Sequence, residues 1–288
     1  SLGVCPANTI LRIIYRANDT GTPSNAAANS VTHASSLDWR WKDLSLVSSD
    51  VRNSVIASLQ ATNEDPIQGA LGMPSAKEIR VRAKGIYAAQ NRAVTKQDYV
   101  QMLYAMPAKF GSVNRANIVR DNKSLKRNLN LYVMSLSINN KFVKSNAAVK
   151  KNVKTWLNKL KMINDTIDIL DAKILNLEIN YELVASTNAN KYDVLHSCEV
   201  TLRNYFSRTK PDIGEPFYIT DVYKMLNQVP GVDDVIDVSI TQKAGGAYSN
   251  FKFNTYNAIS PDGRYIKIPQ DVVWEVLDPS ADIHGVVK

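Results

Sequence analysis

Two cysteines in 288 residues, Cys5 and Cys198, are too few and too far apart for a disulfide framework. Neither belongs to a CxxC pair or lies near a His-rich tract, so a zinc knuckle is excluded as well. Sparse cysteine of this kind suits a chain assembled in a reducing cytoplasm, where a buried thiol acts as a small hydrophobe. Histidine is almost as scarce: His33, His196 and His284 are all there are. None has a partner at metal-ligand or catalytic spacing. His196 and Cys198 are near neighbours, but helical residues two apart point about 200° away from each other. The adjacent Asp233 and Asp234 stand at a turn into a strand and face opposite sides, which does not suit shared acid–base chemistry. Gly245-Gly246 and Asp262-Gly263 lack the helix and Lys that complete a phosphate loop. We therefore expect no catalytic residue, no cofactor, no metal site and no enzyme activity.

Long apolar runs are missing too: none approaches the roughly 18 residues that a bilayer span needs. The first ten residues, SLGVCPANTI, have neither a charged n-region nor an apolar h-region, so neither a signal peptide nor a membrane partner is expected. With no initiator Met, the sequence is expected to begin inside a longer chain.

What is present is the balance of a folded globular chain: 44% hydrophobic and 22% charged residues, in a length that accommodates roughly two domains. The net charge of +8 is uneven. Residues 91–164 carry 15 basic and 2 acidic side chains, whereas residues 165–288 carry 11 basic and 18 acidic ones. Such a contrast favours attraction between segments or subunits, and the basic block would also suit nucleic acid.

Along the chain, residues 1–74 read as a β-rich, loop-rich region, the expected end of an upstream domain. It holds one alternating run, Thr9 to Tyr15, and a Gly/Pro/Ser/Asn/Ala loop from Asp19 to Ser35. Trp39 and Trp41 share one face of an extended segment and read as a packing anchor. Residues 75–140 form a helix-turn-strand unit. Its first helix, 75–90, has a core stripe of Ile79, Ala83, Ile86 and Ala89, with Arg80, Arg82 and Lys84 on a solvated face. A second helix starts at Thr95 and stops at Pro107. Strands follow at 113–119 and 129–138.

Residues 141–245 read as an α+β domain: a helix at 145–163 with an apolar stripe from Val149 to Ile163, then a strand alternating from Leu175 to Leu183. Helices at 190–207 and 220–228, a Pro-Gly turn and a strand to Ile240 complete it. Helix-turn-strand thus occurs twice. Residues 246–288 read as an extended C-terminal arm. The fold class is α+β, with mixed or antiparallel sheets, packed helices and ferredoxin-like elements.

The most informative stretch is NRAVTKQDY, Asn91 to Tyr99. Thr95 is placed as N-cap, Asp98 at N3 closes a capping box, and Val94 faces Tyr99 as a hydrophobic staple. The residues Asn91, Arg92, Val94, Thr95, Asp98 and Tyr99, followed by MPAKFGSVNRANIVRD and later by QVPGVDDVIDVSI, resemble the baseplate J-like family, over Ile10 to Ile240. Within it they look most like wedge proteins of the inner ring of T-even-type contractile tails. The chain departs from the family pattern at Met106-Pro107-Ala108, where a VPG-type turn is usual.

The resemblance implies a virion structural protein of the tail baseplate, assembled in the host cytoplasm. It implies self-association as a homodimer within a six-fold ring, contacts with other wedge and hub proteins, and no catalytic residues. From the residues themselves, Lys150, Lys154 and Lys161 fall within about 40° of one another on a helix and form either a solvated face or a candidate interface stripe for an acidic neighbour. The alternative is a basic nucleic-acid-binding protein. Nucleic acid is not the expected partner, because the aromatics of the basic block fall at core-like positions instead of interleaving with Lys and Arg.

Overall fold

The computed structural model describes residues 7, 8, 10, 12, 26–33, 39–42, 47–67, 76–107, 110, 111, 113–121, 128–137 and 139–288. Most of the run Thr9 to Tyr15 and about half of the loop from Asp19 to Ser35 lie outside them. Where the amino-terminal region is described it is not wholly extended: α1 (Ser49–Ala57) is a helix whose Ser48 side chain accepts from the Val51 N–H. A two-residue bridge joins Ala26 to Ile67, and the Trp39 and Trp41 rings stack with centroids 6.1 Å apart.

Two α+β units follow. The first comprises α2 (Ala76–Ala89), α3 (Lys96–Tyr104), β1 (Arg115–Arg120), β2 (Asn128–Leu136), β3 (Phe142–Val143), α4 (Ala147–Leu157) and β4 (Thr166–Asp171). β2 is central, with β1 antiparallel on one side, β4 parallel on the other, and β3 antiparallel at its far end. Val149, Val153 and Leu157, four apart along α4, meet Leu131 and Val133 of β2 and Tyr99, Met102 and Leu103 of α3 in one core.

β4 passes through the buried Ala172 into β5 (Lys173–Ala185), the central strand of the second unit. Here α5 (Lys191–Arg208), β6 (Phe217–Tyr218), α6 (Ile219–Asn227) and β7 (Val232–Lys243) precede β8 (Tyr265–Ile266), β9 (Val272–Glu275) and β10 (Ile283–Val287). β7 is antiparallel to β5, while β9 and β10 lie in tandem along the other edge, parallel to it. The alternation read from the sequence is realised from Leu177 onward: Leu175, Leu177, Ile179, Tyr181 and Leu183 are buried under α5 and α6, and Glu178, Asn180 and Glu182 face the open side, whereas Asn176, expected on that open side, is buried. The fold class is α+β with mixed sheets, as expected.

The arm expected at 246–288 is corrected. Val272 and Val273 are fully buried, Ile283 is nearly so, and β9 and β10 supply one whole edge of the sheet. Strands of two to five residues are too short to show an alternating pattern, and only pairing with the unfilled edge of β5 defines them.

Three helical readings change as well. α4 ends at Leu157, and Ile163, expected in its apolar stripe, is 97% exposed. α2 turns Ile79 and Ala83 outward and packs against α3 through Gly85, Ile86 and Ala89, because Gly85 lets the Gln101 side chain approach closely. Arg82, placed on a solvated face, instead lies over the Tyr104 ring, 4.4 Å from its centroid.

The units meet along a seam around a small apolar cluster of Met134, Phe142, Ala172, Ile213 and Val273, with polar contacts beside it. Arg115 of β1 pairs with Asp212 at 2.9 Å and donates to the Lys210 carbonyl at 2.8 Å. Asn117 donates to the carbonyls of Ile213 and Gln270. Lys210 and Glu275 form a buried ion pair of 2.9 Å, and the same Glu275 oxygen accepts from the Phe142 N–H.

Candidate assembly surfaces

The Asn91–Tyr99 motif is absorbed by the fold. Gln90 and Asn91 both take positive φ, a conformation Asn tolerates, and so end α2. Ala93 is fully buried, and its N–H donates to the Leu160 carbonyl at 2.9 Å. Thr95 accepts from the Asp98 N–H, and Asp98 accepts from the N–H groups of Thr95 (2.8 Å) and Val94 (3.2 Å). Burial alone would raise the Asp98 carboxyl; the bonds from Thr95 and Val94 outweigh it and bring the group below its ordinary value. Tyr99 donates to Asp165 at 2.7 Å, and burial, reinforced by that bond, raises its phenol well above the usual range.

The motif therefore ties the α2–α3 turn to the loop between α4 and β4. The expected staple is not formed, since Val94 is exposed and Ala93 occupies the core instead. Arg92 is exposed too, and its N–H closes the turn on the Ala89 carbonyl.

The lysine stripe does not survive as one surface. Lys150 pairs with Asp171 at 2.8 Å within its own chain. Lys161 lies beyond the end of α4, where its ammonium donates to the Asp165 carbonyl. Lys154 alone of the three projects from the helix as an exposed cation, beside Lys151. The 3.6-residue angle fails once the helix has stopped.

Two other surfaces carry exposed charge together with exposed apolar side chains. On α2, Ile79, Ala83 and Tyr87 recur every four residues on the outer face, flanked by exposed Arg80 and Lys84. On the second unit a bulge in β7, opposite Glu182 and Leu183 of β5, places Val235 and Val238 inward and both Ile236 and Asp237 outward. Asp237 then lies directly across from Glu182, with exposed Val286 on the other side of that residue. Neither surface was legible in the sequence as a site, because the first depends on which face α3 covers and the second on strand register. The DD pair at 233–234 was the only visible signal.

Elsewhere several polar groups satisfy one another. Lys243 bonds Asp282 (3.0 Å) and Glu178 (3.1 Å); burial opposes its charge, but these two carboxylates raise its ammonium above the ordinary value. Tyr248 donates to the fully buried Asp282 as well. A cleft of about 1000 Å³ at the seam is lined by Tyr132, Phe142, Lys173, Asn176, Phe251 and Glu275. There Lys173 is held by Asp271 and Asn176 accepts from the Ser249 N–H. Cys198 is buried, which pushes its thiol up to about 11 and makes it a poor nucleophile. Among the described residues no three His, Cys, Asp or Glu side chains gather as a metal site, and no helix is long and apolar enough to cross a membrane.

This is a mixed-sheet α+β protein whose distinctive residues build structure and surface. No family model and no curated protein matches the chain. Among solved structures, the baseplate of the anti-feeding prophage, determined by cryo-electron microscopy with six-fold symmetrisation, aligns at 13% identity and a TM-score of 0.43. The alignment covers 75% of this chain and 44% of that one, so this chain spans less than half the length of the structure it matches. At that score and identity the likeness carries no argument, and the functional reading rests on the residues.

Proposed function

We propose that this chain is a structural subunit of the baseplate wedge of a phage contractile tail, without catalytic activity, holding the baseplate together through self-association and contacts with other wedge and hub proteins. The observation that supports it is the Asn91–Tyr99 motif. This is the segment that resembles the baseplate J-like family, and its buried and hydrogen-bonding residues are committed to fixing α2, α3 and the α4–β4 loop. The residues left outside, on α2 and β7, present charge and apolar area, which is the chemistry of subunit contact. In that role the protein belongs to the virion. The aromatic side chains of the basic block support a packing role: Tyr99 and Phe142 are buried and Trp156 donates to the Met102 carbonyl.

Protein identification on purified tails, with localisation of a tagged chain by electron microscopy, tests the reading. The expected result is the chain at the baseplate, in a copy number divisible by six. Purified tails that lack it, or a monomer that binds DNA tightly and with steep salt dependence, would replace this reading with the nucleic-acid one.

A further inference from the structure

We infer that successive copies of this chain dock head to tail, the basic outer face of α2 on one copy seating against the acidic bulge of β7 on the next. The inference rests on the proposed assembly role and deepens it by naming the two surfaces.

Each surface leaves apolar area exposed beside charge. On β7 the bulge exposes Ile236 at 47%, and Val286 of β10, on the far side of β5, is 55% exposed. Between them Glu182 and Asp237 are like charges directly opposite each other, a destabilising cross-strand pair. Lys288 pairs with Glu182, which leaves Asp233, Asp234 and Asp237 exposed and, among the described residues, without an ion pair. A bulge that re-aims an isoleucine into a field of carboxylates calls for a partner that is apolar in the middle and cationic at the margin.

The outer face of α2 has that composition. Ile79 is 47% and Tyr87 59% exposed, four-residue spacing aligns them with Ala83, and Arg80 and Lys84 run alongside. Both cations are exposed and, among the described residues, form no ion pair. The opposite face of α2 is already occupied by α3, so docking needs no rearrangement of the chain. Symmetric pairing of two β7 edges is disfavoured, because it would set three aspartates against three. The Tyr223 hydroxyl already accepts the Val238 N–H of β7 as well. A contact between two different surfaces repeats from copy to copy, giving a closed ring or an open chain.

Sedimentation velocity of the purified chain at about 0.01 M ionic strength, where charges act over roughly 30 Å, tests this directly. Concentration-dependent association is expected, weakened at least about tenfold at 0.5 M salt. The R80E/K84E chain and the D233K/D237K chain should each remain folded and monomeric under the same conditions. Their equimolar mixture should associate again, because each retains the surface the other has lost. A monomeric parent chain, reversed chains that associate like the parent, or a mixture that stays monomeric would each overturn the inference. A monomeric parent that is nevertheless found in purified tails would overturn it while leaving the assembly role standing.

Discussion

The two units solve one packing problem with the same parts in a different chain order. In each, a central strand (β2 or β5) has an antiparallel neighbour on one side and parallel strand on the other. Each antiparallel strand is reached from a nine-residue helix, α3 or α6, through a glycine at φ +91°, Gly111 or Gly231. Each glycine lies against a valine on the helix that follows the central strand: a Cβ would stand 2.9 Å from Val149 in the first unit and 2.8 Å from Val194 in the second. The helix-turn-strand likeness noticed in the sequence is therefore a shared supersecondary arrangement, and a bare backbone at the turn is part of it. The units differ in their margins. The first packs its sheet under α3 and α4 and leaves α2 half outside, whereas the second closes around α5, α6 and the returning carboxyl-terminal strands.

The strongest way to break the comparison is to separate the units. Lys210→Ala leaves Glu275, whose side chain is 3% exposed, without its cation, and is expected to cost about 3–5 kcal/mol in urea unfolding. Combining it with Glu275→Gln should return much of that loss, whereas a role for Lys210 confined to packing on Phe142 would give no recovery.

Next comes the shared turn. Gly231→Ala and Gly111→Ala each force a side chain into positive φ and against a valine, with an expected loss of about 2–4 kcal/mol. Similar losses by thermal unfolding would sharpen the equivalence of the units. A neutral Gly111→Ala beside a damaging Gly231→Ala would break it.

Tyr99→Phe removes a donor from Asp165 and is expected to destabilise the first unit by about 1.5 kcal/mol, read as a lower urea midpoint at unchanged slope. Thr95→Ala should cost about 1 kcal/mol, the usual value of an N-cap. The second unit offers a control, since α6 has no side-chain cap and a substitution at Tyr218 should leave helix capping untouched.

The smallest effect is the pH dependence of that cap. The carboxyl of Asp98 is lower in the folded chain than in the unfolded one, so its contribution is present above the unfolded range, about pH 4, and is lost as pH falls through the folded value. The penalty of Asp98→Asn should therefore shrink on acidification below that point. A constant penalty across the titration would show that the side chain acts by shape alone.

The legible parts of the molecule were those set by nearest neighbours. Thr95 and Asp98 announced the start of α3, and Pro107 its end, because a cap and a missing N–H act within a few residues. The alternation from Leu175 to Leu183 predicted β5, because period two follows from the pleat. α2 was read half correctly: Ile86 and Ala89 of the expected stripe face inward, but Ile79 and Ala83 turn outward, because the helix has two apolar sides and only the position of α3 decides which is covered. Lys150 and Lys161 left the candidate interface for the same kind of reason, one captured by Asp171 from a distant strand and the other carried past a helix end that periodicity had not located.

By itself, then, the sequence determined the α+β class, the central strand of the second sheet, the capped helix and the charge contrast between its halves, all properties that act along the chain over a few residues. Tertiary structure alone decided that the carboxyl-terminal segment is a sheet edge, that Lys210 and Glu275 lock the seam, and that Ile236 and Asp237 stand outward together. Those outcomes depend on register and on contacts between residues up to about a hundred positions apart, where side-chain periodicity holds no information.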